Sequence, residues 1–291
     1  MKIARIIYSG PNRDGAPIVV IASVGGNRKT DSVVGLSVIP KYVYDAVRAA
    51  EQTMHGRGKA YHNSIGDHIQ TACGKCIFGM EDSAARDRFG LKKCYAQKNY
   101  QNVLQASTII GDVIEAPERM TGVLDRDGFA AVMAAAKLVG VTFVRSAIVG
   151  DLGMLPEAIA MAIVDMVEMV GGFRWLAYTH QWGRSDWLRS THQASTQGPW
   201  KAAHAAKDRG WGVYHVISEH EEHTGEGFRL CPVQVGKLAG VDVTCSGCPI
   251  PCDGSGGHST YAIDHGPGCN LKRSTAGKAA DLDLFPLIVA A

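Results

Sequence analysis

Seven of the eight cysteines in the chain fall into two groups whose spacing suits metal ligation. The members of the two groups are, in order, Cys73, Cys76 and Cys94, and then Cys231, Cys245, Cys248 and Cys252. The first group has the spacing C-x2-C-x17-C and the second C-x13-C-x2-C-x3-C. Thiolates that are two or three residues apart can converge on one centre. The groups are not equivalent, because only the second supplies four thiolates, and Cys269 stands alone.

The four-cysteine group can close a structural zinc site, since zinc prefers four cysteine or histidine ligands in a tetrahedron. It can equally hold a [4Fe–4S] cluster, whose four irons each take one thiolate. Prolines and glycines surround Cys248 and Cys252, and they favour a turn that points backbone N–H groups toward sulfur. The sequence therefore predicts a metal centre here and leaves the choice between iron–sulfur and zinc open.

The three-cysteine group lacks a fourth thiolate. If it binds zinc, a histidine such as His62 or His68 is expected to complete the tetrahedron. If it binds a [4Fe–4S] cluster, one iron stays open for a substrate or a cofactor. An open coordination position is typical of a catalytic centre rather than a structural one. Both interpretations are kept.

The overall composition is that of an ordinary globular protein: 46% of the 291 residues are apolar and 20% are charged. A net charge of +2 gives no strong field that would draw the chain to nucleic acid or to a membrane. Eight cysteines are too few for a disulfide scaffold of this length. No secretory signal and no apolar run of about 18 residues is visible. We expect a cytoplasmic protein without a membrane partner, in an oligomeric state that the sequence leaves open.

Alternating strand and helix patterns over the second half of the chain predict an α/β fold. The predicted strands are 142–149, 174–179, 189–194, 211–217 and 259–263, and the predicted helices are 127–139, 156–170 and 199–209. This order is typical of βαβ units with a parallel sheet. It favours a partial or open (β/α) barrel-like arrangement that carries cysteine-rich metal-binding loops.

The chain is predicted to be a single α/β domain over residues 1–291. Residues 1–124 form an irregular N-terminal part with the first cysteine group, 125–266 the βα core with the second, and 267–291 a C-terminal tail. The patterns within the first part are strands at 18–23 and 33–40, a helix at 41–54 and a loop at 55–72.

Polar residues follow the predicted strands, where parallel α/β proteins bind their ligands. We expect Asp151, His180 and His265 to line a pocket there and to bind substrate or move protons, for which histidine is suited near neutral pH. Gln181 is expected to contact a cofactor at the same edge. Arg28, Lys29 and Thr30 lie in a turn after a predicted strand and can grip a phosphate or a carboxylate.

Several short motifs occur along the chain in a fixed order. They are Gly26–Thr30, Cys73–Cys76, Cys94–Ala96, Val144–Arg145, Gly150–Asp151, Tyr178–Trp182, Cys231–Pro232, Cys245–Gly254 and His265–Gly266. In this order the motifs resemble those of the gene product 88-like proteins, a phage and plasmid family of uncharacterised function. The resemblance covers most of the chain and implies a phage-type protein in the cytoplasm of a host cell.

Cys94-Tyr-Ala96, which follows earlier cysteines in a chain with barrel-like βα units, is also similar to a feature of radical SAM enzymes. In those enzymes three cysteines hold a cluster whose open iron binds S-adenosylmethionine, and many carry a four-cysteine auxiliary cluster. The resemblance implies an iron–sulfur enzyme that acts on a small molecule, a nucleotide or a nucleic acid. The alternative is a zinc-stabilised accessory protein that binds nucleic acid or another protein.

Overall fold

The computed structural model describes residues 3–27, 31–63, 68–74, 100–114, 120–217, 227–239, 241, 243–248, 250, 252–254 and 257–263. These residues form a mixed α/β fold. Its strands are β1 (Ile3–Pro11), β2 (Pro17–Asn27), β3 (Asp31–Pro40), β4 (Phe143–Val149), β5 (Arg174–Leu176), β6 (Tyr178–Thr179), β7 (Gln193–Gln197), β8 (Val213–Ile217), β9 (Arg229–Leu230) and β10 (Ser259–Ile263). Its α-helices are α1 (Lys41–Ala49), α2 (Met54–Asn63), α3 (His68–Cys73), α4 (Tyr100–Gly111), α5 (Arg126–Leu138), α6 (Glu157–Val170), α7 (Trp200–Asp208) and α8 (Pro232–Ala239).

The strands form two five-stranded sheets with the orders β1-β2-β3-β4-β5 and β6-β7-β8-β10-β9. β1, β2 and β3 are antiparallel neighbours, and every other pair is parallel. The α/β class with parallel sheet segments is therefore confirmed. No pairing joins the edge strands β1 and β9 within the described part of the chain, so no closed barrel forms there.

Ala177 separates β5 from β6 and makes one chain segment belong to both sheets. Its N–H donates to the carbonyl of Cys252 at 3.0 Å, and its carbonyl accepts from the N–H of Gln193 at 2.9 Å. Because the N–H bonds to a loop instead of a neighbouring strand, the single strand predicted at 174–179 is interrupted. The interruption brings the loop that carries Cys252 against the sheet.

The helices α5, α6 and α7 cover one face of the strands, which we call the outer face. Alternate strand residues such as Val144 and Trp175 are buried with these helices in the largest core cluster. A second cluster, with α1, α2 and α4, covers the opposite face near β2 through Val19 and Ile21. The remaining part of that opposite face, on β4 to β10, is the inner face; it carries Phe143, Leu176, Tyr178, Ser195, Tyr214 and Thr260.

Capping residues explain where the outer helices begin and end. The Asp125 carboxylate accepts from the N–H of Gly128 at 2.9 Å and starts α5. Pro156 precedes α6, and Gly171, at φ 64°, follows its last residue. The bounds predicted for these helices are confirmed to within one residue.

Some expectations about the N-terminal part are wrong. Instead of an irregular start, the chain forms the three long strands β1, β2 and β3. Gly10 and Pro11 end β1, and Tyr8 donates its O–H to the Pro11 carbonyl at 2.7 Å. The loop predicted at 55–72 contains α2 and α3, where Tyr61 is fully buried against the second core cluster.

Two further corrections concern the rest of the chain. The strand predicted at 189–194 lies instead at Gln193–Gln197, so Ser195 sits within a strand and not after one. The helix α8 directly follows Cys231, in a segment where no element had been predicted. No helix in the described ranges is both long and apolar enough for a membrane crossing.

Candidate functional site

All four cysteines of the second group line one pocket. The other lining residues are Phe143, Arg174, Trp175, Leu176, Tyr178, Tyr214, Pro232, Val233, Ile250 and Thr260. Phe143 and Arg174 are the first residues of β4 and β5, and Tyr214 and Thr260 are the second residues of β8 and β10. The pocket therefore lies over the inner face, at the amino-terminal half of the parallel strands.

The sheet fixes Cys231 directly. The residue follows β9, and its N–H donates to the carbonyl of Tyr261 on β10 at 2.8 Å. Its own carbonyl accepts from the N–H groups of Gln234 and Val235 at 2.8 and 3.1 Å, in the first turn of α8. Cys231 is thus held between a strand pair and a helix start, and it is buried.

A short turn places Cys245 and Cys248 together. The N–H of Cys248 points to the Cys245 carbonyl at 3.4 Å, and the hydroxyls of Thr244 and Ser246 are 2.8 Å apart. Arg174 extends from the sheet and donates to the Ser246 carbonyl at 3.3 Å. The turn is therefore tied to the amino end of β5.

Backbone contacts dock the chain around Cys252. The Cys252 carbonyl accepts from Ala177, and two residues later Gly254 packs against the turn before β7. A Cβ on Gly254 would lie 1.9 Å from the carbonyl oxygen of Arg189. Only glycine permits this close approach, so Gly254 positions the last cysteine of the group.

Burial sets the ionisation of two of these thiols. It raises the pKa of Cys248 to about 11, and the neighbouring cysteines Cys231 and Cys245 add to that rise. Burial likewise raises the pKa of Cys252 far above its ordinary value, again with a contribution from Cys231. These thiols stay protonated at neutral pH unless a cation stabilises the thiolates, as a coordinated metal does.

The fit of this donor set to a metal depends on the size of the centre. In the described part of the chain, no three or more histidine, cysteine, aspartate or glutamate side chains form a group that could hold a metal ion as they stand. A zinc ion needs its thiolates about 3.8 Å apart, which follows from a Zn–S distance of about 2.3 Å in a tetrahedron. A four-iron cluster binds each thiolate at a different iron and accepts a wider shell. The four thiols that line the pocket match the donor set of either centre.

A second arrangement lies at the opposite, carboxyl end of the strands and centres on Asp151. This carboxylate is 1% exposed. One oxygen accepts from the Gly153 N–H and the Thr179 hydroxyl, both at 2.8 Å, and the other accepts from the His180 N–H at 2.6 Å. Asp151 therefore joins the end of β4 to the end of β6, as expected for residues that follow parallel strands.

His180 links this carboxylate to the inner face. Its Nδ1 is 3.7 Å from Asp151 Oδ2, and its Nε2 is 3.2 Å from the hydroxyl of Ser195 on β7. The side chain of His180 is partly exposed, whereas Ser195 is buried. The series carboxylate, imidazole and hydroxyl is an arrangement that can orient a histidine and move a proton.

The first cysteine group contributes Cys73 to the same carboxyl end. The carbonyls of Thr71, Ala72 and Cys73 end α3, and they accept from the Asn12 side chain, the Asp151 N–H and the Gln181 side chain, each at 2.8 Å. Gly74 follows at φ 60°, and a Cβ there would lie 2.7 Å from Gln181 Nε2. The C-x2-C motif thus begins at a fixed point beside Asp151.

The structure therefore divides the predicted site residues between two places. Asp151, His180, Gln181 and Cys73 come together at the carboxyl end, while the four cysteines of the second group lie at the amino half. Asp151, His180 and Cys73 are not among the residues that line the four-cysteine pocket. Arg28, Lys29, Thr30, Cys76, Cys94, His265 and Cys269 lie outside the described residues.

His62 is exposed on α2, and His68 begins α3; whether either completes the first group stays a prediction. The sequence reasoning missed three hydroxyl groups of the inner face, those of Tyr178, Tyr214 and Thr260. The strand period of two places alternate residues on one face and could have assigned them to it, but not to a cysteine pocket.

Comparison with protein-family models, with curated proteins and with solved structures finds no match for this chain.

Proposed function

We propose that this protein is an iron–sulfur protein in which Cys231, Cys245, Cys248 and Cys252 hold a [4Fe–4S] cluster. The observation that carries the proposal is that the four thiols, from two separate loops, line one pocket. Iron supplies the positive charge that keeps buried thiolates ionised, which matters where burial raises the pKa of Cys248 to about 11.

We extend the proposal to Cys73, Cys76 and Cys94, which would hold a second cluster with one open iron. The position of Cys73 at the carboxyl end supports this, because parallel α/β proteins bind ligands there. S-adenosylmethionine, bound at an open iron, supplies radical chemistry in the enzymes that this chain resembles. The protein would then be a radical SAM-like enzyme.

Such an enzyme needs a concave inner face. We propose that the two sheets curve around it like an open barrel. The continuous chain segment through Ala177, which contributes β5 to one sheet and β6 to the other, supports this arrangement.

In this proposal the residues at the carboxyl end handle the substrate. Asp151 holds the backbone of His180, and His180 donates or accepts a proton at Nε2, next to the Ser195 hydroxyl. Gln181 and the basic residues Arg28 and Lys29 would contact the cofactor or an anionic group. A nucleotide or a nucleic acid is the substrate class that the resemblance to phage proteins suggests.

A zinc-stabilised binding protein is the second candidate. The packing of Cys245 and Cys252 against the apolar residues Phe143 and Leu176 favours it, because structural centres are commonly enclosed in this way. In that case both cysteine groups would stabilise loops, and the partner would be a nucleic acid or another protein.

Metal analysis of the full chain, purified without oxygen, separates the two candidates. Iron and acid-labile sulfide at about four atoms of each per four-cysteine centre support the first proposal. Stoichiometric zinc without sulfide would contradict it and favour the second. Inductively coupled plasma measurement of both metals in the same sample makes the comparison direct.

The Cys94→Ser variant tests the catalytic assignment of the first group. We expect it to lose its share of iron and the ability to cleave S-adenosylmethionine under reducing conditions, while circular dichroism stays that of the wild type. The matched control is Cys269→Ser, which removes the cysteine outside both groups and should leave iron content unchanged. Collapse of the fold in Cys94→Ser would show that the first group is structural instead.

A further inference from the structure

Three hydroxyl side chains from the inner face line the four-cysteine pocket. They are Tyr178 on β6, Tyr214 on β8 and Thr260 on β10. Tyr214 pairs directly with Thr260 across β8 and β10, and the rings of Tyr178 and Tyr214 have their centroids 4.7 Å apart. The strands thus present a group of O–H donors to a pocket whose other polar atoms are mainly thiols.

Thr260 is the first sign that these hydroxyls face a ligand. The residue is 2% exposed, and its Oγ1 has no hydrogen-bond partner among the described residues. Buried hydroxyls are normally hydrogen-bonded, because leaving one unpaired lowers stability. A sulfur-rich ligand inside the pocket would give the Thr260 hydroxyl an acceptor.

Tyr178 gives an independent sign. Its side chain lines the pocket together with Cys252, and both residues pack against Phe143 and Leu176. A phenylalanine ring would keep the contact with the Tyr214 ring, so what the tyrosine adds is an O–H group that can donate a hydrogen bond in a pocket lined by sulfur. A thiolate accepts such a bond more strongly than a thiol does.

We propose that Tyr178 and Thr260 donate O–H hydrogen bonds to sulfur atoms of the centre held by the four cysteines and thereby raise its reduction potential. The inference rests on the proposed iron–sulfur centre. The relevant step is the one-electron reduction of the [4Fe–4S] cluster from its 2+ to its 1+ state by an external reductant. The reduced cluster carries more negative charge on sulfur, so donors stabilise it more than the oxidised form.

A redox titration of the full chain tests the inference. The reconstituted protein is reduced with dithionite in the presence of mediator dyes, and the reduced cluster is followed by electron paramagnetic resonance. A Cys73→Ser background confines the signal to the four-cysteine centre. Tyr178→Phe and Thr260→Val should each shift the midpoint potential to lower values, and the double variant should shift it furthest.

Two matched controls remove a hydroxyl at other positions. Thr196→Val removes one from the outer face of β7, and Tyr44→Phe removes a buried one from α1. Both should keep the wild-type potential. Thr260→Ser retains the hydroxyl and should restore most of the potential that Thr260→Val loses.

The outcomes distinguish the iron–sulfur centre itself from the role of the two hydroxyls. Absence of iron and sulfide from the wild type would overturn the iron–sulfur proposal itself. An intact cluster whose potential is the same in Tyr178→Phe and Thr260→Val would overturn only the role of the hydroxyls. If a variant fails to load, wild-type protein still gives a test. Exchangeable protons coupled to the reduced cluster must appear in electron–nuclear double resonance and vanish in heavy water, and their absence contradicts the inference.

Discussion

The two ends of the parallel strands use their polar atoms in opposite ways. At the carboxyl end, Asp151 already receives hydrogen bonds from Gly153, Thr179 and His180. At the amino half, burial keeps the Cys248 and Cys252 thiols protonated, and the Thr260 hydroxyl lacks a partner among the described residues. The first network is complete without a ligand and serves to position residues. For the second set of groups, the proposed metal centre would supply the cation that ionises the thiols and the acceptor that the Thr260 hydroxyl lacks among the described residues.

This difference predicts that the four-cysteine end depends on its metal for stability and that the Asp151 end does not. Cys252→Ser should lose the centre and on the order of 5 kcal/mol of unfolding free energy, because metal binding to buried ligands is coupled to folding. Cys73→Ser, at the other end, should lose far less. Guanidinium denaturation of both variants under anaerobic conditions measures the contrast. Equal losses would mean that both groups are structural.

On the outer face, two buried histidines should make stability depend on acid. Burial lowers the pKa of His192 and of His215 to about 4. The unfolded chain binds protons at these positions below about pH 6.5 and the folded chain only below about pH 4. Stability therefore falls as pH drops from about 6.5 to about 4, by at most about 3 kcal/mol for each histidine.

Denaturant midpoints between pH 7 and pH 4 test this dependence. His215→Gln should reduce the loss of stability toward pH 4, whereas the control His55→Gln replaces an exposed histidine and should leave that loss as in the wild type. If the loss of stability toward pH 4 is unchanged in His215→Gln, the acid sensitivity lies elsewhere, at the four-cysteine centre or at Asp151.

Replacing one carboxylate oxygen of Asp151 should break the hydrogen-bond network at the carboxyl end. Asp151→Asn keeps the shape of the side chain but replaces one acceptor with a donor amide, which faces the N–H groups of Gly153 or His180. We expect a loss of about 3 kcal/mol in unfolding free energy, since buried donors are left unpaired. Asp14→Asn disrupts an exposed ion pair with Arg184 and should cost at most about 1 kcal/mol.

At the amino half, adding one methyl group at Gly254 should displace the loop that carries Cys252 from the sheet. Gly254→Ala places a Cβ against the Arg189 carbonyl, and we expect a loss of about 1–3 kcal/mol together with weaker metal retention. Gly247→Ala lies in the same loop with only the Thr244 hydroxyl nearby, at 3.8 Å. Metal retention against a chelator compares the two variants. Equal retention would show that the docking of Cys252 does not depend on Gly254.

The sequence predicts local elements well where one pattern dominates. Alanine-rich α5 and the β10 segment Ser259–Ile263 have the expected bounds to within one residue. Prediction fails where a distant contact decides. Ala177 interrupts a strand because its N–H bonds to Cys252, and α2 contains two glycines yet is helical because Tyr61 is buried.

The candidate site also has one part that a local pattern predicts and one part that distant contacts decide. Strand-end logic was enough to bring Asp151, His180 and Gln181 together, since parallel strands end at one edge. The position of the four cysteines depends on which face of the sheet the cysteine loop covers. That follows from the Gly254 contact and from the interruption of the strand at Ala177. Neither feature produces a regular pattern in the sequence from which it could be predicted.

The smallest effect is expected at Ser195, in the middle of β7 on the inner face. Ser195→Ala removes a hydroxyl 3.2 Å from His180 Nε2, and the partly exposed imidazole can turn to water instead, so stability should change by less than about 1 kcal/mol. If His180 moves a proton in the reaction, its loss of orientation should appear in the rate and its pH profile. His180→Gln provides the limiting case for that profile. A pH profile that is identical in wild type and Ser195→Ala would limit the hydroxyl to packing and leave Asp151 as the residue that orients His180.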